Sequence, residues 1–153
     1  MTLDMKQSLS THAFLSGFSP GQIACLTAIA GTVVFEENDL VLVDGQRSSA
    51  LYLLLTGSVA VELRTPAYVV CVEALGPGQA FGWSALLEHQ DTVFQVRARE
   101  QTTAIRLDGA RLKALCRSDP ALGVEILQRT LAVVAGRVKA TEIRFAEMCG
   151  IRV

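Results

Sequence analysis

Residues 50–63, Ala50-Leu51-Tyr52-Leu53-Leu54-Leu55-Thr56-Gly57-Ser58-Val59-Ala60-Val61-Glu62-Leu63, set two β-rich runs on either side of a Thr-Gly turn. Runs of large aliphatic, aromatic and β-branched residues favour strands, and a glycine between them accepts the positive φ that a tight connection needs. Outward from this pair the same punctuation recurs. Residues 32–35, 40–43, 68–75, 93–99 and 102–107 read as further strands, separated by Asn38-Asp39, Asp44-Gly45, Thr65-Pro66 and Gly76-Pro77-Gly78. Short strands at such regular spacing predict a sandwich or barrel rather than strands alternating with helices.

Helical signals flank the strands. Ser19-Pro20-Gly21 opens a helix, with Ser19 as N-cap, Pro20 in the first turn, and Ile23, Leu26 and Ala30 at helical spacing. Residues 12–17 form a short helical turn before it. Beyond Asp108 a short helix over 109–116 is followed by Ser118-Asp119-Pro120, which starts a long helix reaching about Met148. Along it Leu127, Leu131, Val134, Val138, Thr141, Phe145 and Met148 are spaced alternately by four and three residues, the spacing of a coiled-coil seam. Packing on the chain's own strands accounts for Leu122 and Ile126. A helix of this length outruns so small a domain, however, and the seam predicts a helix-to-helix homodimer.

The totals set limits. The 153 residues suffice for one domain with a real core, and 50% apolar against 19% charged residues implies extra surface buried in a dimer or a pocket. A formal charge of −1 offers no basic footprint for DNA. Cys25, Cys71, Cys116 and Cys149 lack metal-ligand or C-x-x-C spacing and are read as reduced thiols. The first three lie in apolar periodic stretches, and Cys149 is the one expected at the surface. The N-terminus lacks a continuous apolar signal core, and no apolar run is long enough for a bilayer, so the chain is expected in the cytoplasm.

The order of elements resembles the cyclic-nucleotide-binding domain of the catabolite-activator and protein-kinase regulatory-subunit superfamily. His12-Ala13-Phe14-Leu15-Ser16-Gly17-Phe18-Ser19 is similar to that family's opening segment. Residues 51–59 are similar to its third and fourth strands, and Gly76-Pro77-Gly78-Gln79-Ala80-Phe81-Gly82 to the approach to its phosphate-binding cassette. The resemblance implies a mainly β fold with flanking helices: a double-stranded β-helix or jelly roll followed by a long C-terminal helix. One domain over residues 1–153 is expected, with N-terminal helices at 12–30, a β-roll at 31–107 and C-terminal helices at 109–148.

In that family a Glu directly after Phe-Gly holds the ribose, and an Arg about nine residues on pairs with the cyclic phosphate. Here Phe81-Gly82 is followed by Trp83, and Asp91-Thr92-Val93 places Thr92 at the Arg position. A regular strand from Thr92 points Thr92, Phe94, Val96 and Ala98 inward and leaves Arg97 and Arg99 to water. Burying a phosphate without a cation costs ~3–5 kcal/mol, on the order of a hundredfold or more in affinity. Ordinary affinity for cyclic AMP or cyclic GMP is therefore not expected. Phe81, Gly82, Trp83, Ser84, Ala85, Thr92, Val93 and Phe94 form the candidate ligand pocket, and Trp83 either offers an apolar ligand a flat face or plugs the site. Ser84 caps the short cassette helix or donates to a ligand. Thr141 falls where family activators set a polar helix residue against the base.

The helix-turn-helix of the activators does not follow the long helix in this chain, which argues against direct DNA binding. His12 and His89 are the only histidines and do not form the two-His-and-carboxylate set of roll-shaped oxygenases. Ser58 and Ser84 have no nearby His base. The expectation is a non-enzymatic sensor without metal or cofactor, taking a small-molecule ligand and acting through its dimer or an effector protein. The alternative is a scaffold or interaction module with a plugged pocket.

Overall fold

The structure is a computed structural model that describes residues 4–88, 91 and 93–152. Helix α1 (Met5–Thr11), a 3-10 turn (Ala13–Leu15) and α2 (Pro20–Thr27) lead into the strands. These are β1 (Ala30–Phe35), β2 (Leu40–Leu42), β3 (Ala50–Thr56), β4 (Val59–Arg64), β5 (Val69–Leu75), β6 (Ala80–Phe81), β7 (Phe94–Ala98) and β8 (Thr102–Asp108). A second 3-10 turn (Trp83–Leu86) lies between β6 and β7, and α3 (Gly109–Ser118) and α4 (Pro120–Met148) follow β8. Two antiparallel four-stranded sheets, β1-β8-β3-β6 and β2-β7-β4-β5, make the expected jelly roll.

The unbroken apolar run in β3 has a structural reason. Leu51 and Leu53 face outward into a core shared with Leu26, Leu112, Leu122 and Ile126 of the helices. Tyr52 and Leu54 face inward, with Phe81, Val61, Val96 and Ala104. A strand covered on both faces needs apolar residues at every position rather than alternation. Gly57 completes the β3–β4 turn at φ +84, and a Cβ there would stand 2.5 Å from the Gln101 carbonyl oxygen. Two elements escaped the sequence reading, α1 and β6. The first buries only Leu9, and the second is two residues long, so neither generates a readable period.

The helix starts follow their caps. Ser19 and Gln22 form a reciprocal capping box at α2, and Asp119 accepts from the Leu122 amide at 3.2 Å to start α4 beside Pro120. Arg129 then ties α4 to the opening segment: its guanidinium donates to the Phe14 carbonyl at 3.0 Å and to the Ser16 carbonyl, and lies over the Phe18 ring. His12 ties the same segment to β3. Its Nδ1 accepts from the Phe14 amide at 3.2 Å, so Nε2 carries the proton donated to the Leu54 carbonyl at 2.8 Å. Burial pushes the pKa of this neutral imidazole down.

The cysteines correct one expectation. Cys25 and Cys71 are exposed, as Cys149 is, and only Cys116 is half-buried. The buried face of α2 is set by Ile23 and Leu26, which leaves Cys25 outside.

Candidate functional site: the mouth of the roll

The floor of the site is built around Gly82. It takes φ +85, and a Cβ there would meet the Ala50 carbonyl oxygen at 2.5 Å, so both conformation and close approach require glycine. The Trp83–Leu86 turn follows, closed by the Ala85 amide donating to the Gly82 carbonyl at 3.1 Å. The Ser84 hydroxyl neither caps this turn nor stands free: it accepts from the Ser48 amide at 3.0 Å and locks the turn to the loop before β3. Ala85 packs on the start of α3, where a Cβ on Gly109 would lie 3.0 Å from that of Ala85. Trp83 is half-buried against the helical core.

What space remains inside is a cavity of about 20 Å³, lined among others by Leu42, Phe81, Trp83, Phe94, Val96 and Arg137. That is room for about one water. Tyr52 fills much of the interior, stacked on Phe81 at 4.9 Å between ring centroids, with Phe35 edge-on to it at 5.8 Å. Larger concavities lie outside the roll. One of about 570 Å³ runs between the Leu86–Leu87 segment and Cys116, Val124 and Leu127, and another of about 340 Å³ lies along α4 beside Phe14, Glu73 and Gly136.

Five of the expected pocket residues, Phe81, Gly82, Trp83, Ser84 and Phe94, line the cavity. Ala85 is buried behind the turn, and Val93 is exposed to solvent. Thr141 does not line the cavity; its hydroxyl donates to the Arg137 carbonyl one turn back at 2.8 Å. The expectations for Thr92 and His89 concern residues outside those described. Arg97 lies on the outer face of the sheet as expected, paired with Glu62 at 3.2 Å, and Arg99 is exposed.

The residue that the sequence reading missed is Arg137. It enters the roll mouth from α4, is only 7% exposed, donates from Nε to Glu73 on β5 at 2.8 Å, and sits over the Phe94 ring at 5.6 Å. A readable signal existed. The inward stripe Leu122, Ile126, Thr130 continues at helical spacing through Val133 to Arg137. On the other side of α4, Leu127, Leu131, Val138, Phe145 and Met148 are exposed, with Leu131 at 67% and Phe145 at 70%, whereas Val134 is half-buried. Among the described residues, no three His, Cys, Asp or Glu side chains gather as metal ligands, and no helix is long and apolar enough to cross a membrane.

A jelly roll with a glycine-turn cassette at its mouth and a long helix laid across that mouth defines a class of ligand-binding β-roll domain. Within that class, a family model described as "Cyclic nucleotide-binding domain" matches residues 32–119, more than half of the chain, and the chain belongs to this family. It is 23% identical over 145 residues to a CRP-like cAMP-activated global transcriptional regulator of Mycobacterium tuberculosis, a match spanning 94% of this chain and 63% of that protein. Its fold matches a cyclic nucleotide-binding domain from Methylobacillus flagellatus with a TM-score of 0.80 at 20% identity, covering 94% of this chain and 83% of that one. It also matches the regulatory subunit of a cAMP-independent protein kinase A from Trypanosoma brucei, TM-score 0.71 at 21% identity, over 95% of this chain and 50% of the other. A variant of that subunit with three substitutions, Glu to Ala, Thr to Arg and Val to Ala at the last two adjoining positions, is bound to cAMP.

Proposed function

We propose that this chain is a regulatory sensor domain that has left the usual ligand of its family and signals through α4. One observation carries the reading. Arg137 is buried in the roll mouth, while the same helix turns an exposed apolar stripe outward, so anything that enters the roll must act on α4. The departure from cyclic nucleotides rests on Trp83 and Thr92 at the two anchor positions. Thr92-Val93 is the same dipeptide that was replaced by Arg-Ala in the cAMP-bound trypanosomal variant. The outward stripe supports a homodimer paired along Leu127, Leu131, Val138, Phe145 and Met148. A single domain acting in the cytoplasm through an effector protein, without catalysis or direct DNA contact, completes the proposal.

Titration calorimetry with cyclic AMP and cyclic GMP is expected to give no heat of binding; micromolar affinity for either would overturn the proposed loss. The ~20 Å³ cavity and the Tyr52–Phe81 stack favour a second reading, an interaction module with a filled roll. The double variant Trp83→Glu, Thr92→Arg separates the two. A gain in cyclic AMP affinity on the order of a hundredfold supports a roll that still opens, and no gain supports a filled one.

A further inference from the structure

We infer that the roll mouth is a site for a compact aromatic carboxylate, captured by Arg137 in exchange for Glu73; this rests on the sensor reading above. Arg137 offers five N–H donors, and among the described residues only Nε is used, in the bond to Glu73. The two η nitrogens of this 7%-exposed side chain donate to nothing among the described residues. The guanidinium is thus an incompletely used fork at the roll mouth, matched in shape to a carboxylate.

The class of ligand follows from what surrounds that fork. Phe81, Trp83, Phe94 and Leu42 supply flat and apolar walls, and the Ser84 hydroxyl already accepts a backbone amide. A ligand therefore needs one anionic end and an apolar body, with little polar surface between. The observed partner of Arg137 is itself a carboxylate, so a ligand carboxylate replaces like with like and leaves the arginine compensated. Glu73 can be released without being buried alone. Its side chain is 23% exposed, and it borders the groove of about 340 Å³ on the far side of the pair. The ligand must be compact, because the closed cavity holds only about 20 Å³ before this pair parts.

The probe is benzoate, with benzamide as its neutral counterpart, titrated against the wild type, Glu73→Gln and Arg137→Gln by protein NMR, with amide exchange of α4 recorded alongside. Benzoate is expected to bind the wild type, to bind Glu73→Gln about tenfold more tightly because its competitor is gone, and to lose binding in Arg137→Gln. Benzamide is expected to bind none of them. Equal binding of benzamide and benzoate, or failure of benzoate to bind Glu73→Gln at millimolar concentration, overturns the carboxylate site. Benzoate bound through Arg137 with α4 exchange unchanged keeps the site but overturns the sensor reading. If Arg137→Gln does not fold, the benzoate–benzamide contrast in the other two proteins still decides.

Discussion

Between Pro120 and Thr130, α4 buries Leu122, Gly123, Ile126 and Thr130 against its own domain; from Leu131 to Met148 the buried residue is Arg137. The first half is held by apolar area and close backbone approach: a Cβ on Gly123 would lie 2.6 Å from the Cys116 carbonyl oxygen. The second half packs Val133 on the core and adds one ion pair and one contact with an aromatic ring at Arg137. Apolar packing over several residues is hard to undo piecemeal, whereas an ion pair has a single competitor, another anion. The contrast gives the two halves different resistance to release, and the proposed function reads the first as the anchor and the second as the part that responds.

The largest expected effect lies in the anchoring half. Ile126→Ala removes a fully buried side chain and should destabilise the whole domain by ~2–5 kcal/mol in chemical denaturation. A loss below ~1 kcal/mol would erase the distinction between the halves. Glu73→Ala comes next. It strands Arg137 without its charged partner, and since Glu73 is partly exposed the cost should be ~1–3 kcal/mol, lowering the denaturation midpoint.

Acid probes the opening segment, to which Arg129 ties the anchoring half, through His12. The fold binds the neutral ring and holds its pKa below the ordinary value, so the unfolded chain takes up protons first. This contribution to stability is complete above about pH 6.5 and is lost as pH falls below it through the folded-state value. In melts from pH 8 to pH 5, the wild type should lose stability that His12→Gln does not lose; parallel curves would contradict a lowered pKa at His12.

The smallest effect concerns Gly136, next to Arg137. A Cβ there meets nothing within 4 Å, so no contact explains a glycine in mid-helix. Gly136→Ala should stabilise α4 by about 1 kcal/mol, read as a higher melting temperature. A destabilisation would mean that this helix does not pack as described.

The residues differed in how openly they announced these roles. Strands with large apolar runs and glycine turns were readable because each run had to satisfy one sheet, and Asp119-Pro120 marked the start of α4 by its capping chemistry. The Phe81–Ser84 turn was found from its resemblance to a cassette, and its glycine has the steric reason that the resemblance implied. Tyr52 was overlooked because a strand buried on both faces does not reveal which face is the roll interior. Arg137 was overlooked for a different reason. The heptad seam drew the reading to the outer face, and an arginine in a helix is usually solvated, so its place at the end of the Leu122–Ile126–Thr130 stripe went unused.

The Arg137–Glu73 pair is proposed to hold the far half of α4 to the roll. Hydrogen–deuterium exchange of the wild type and Glu73→Gln, at one protein concentration, measures this directly. Faster exchange across residues 134–148 in the variant, with β3 and β8 unchanged, is the predicted result; identical exchange along α4 in the two proteins would contradict it.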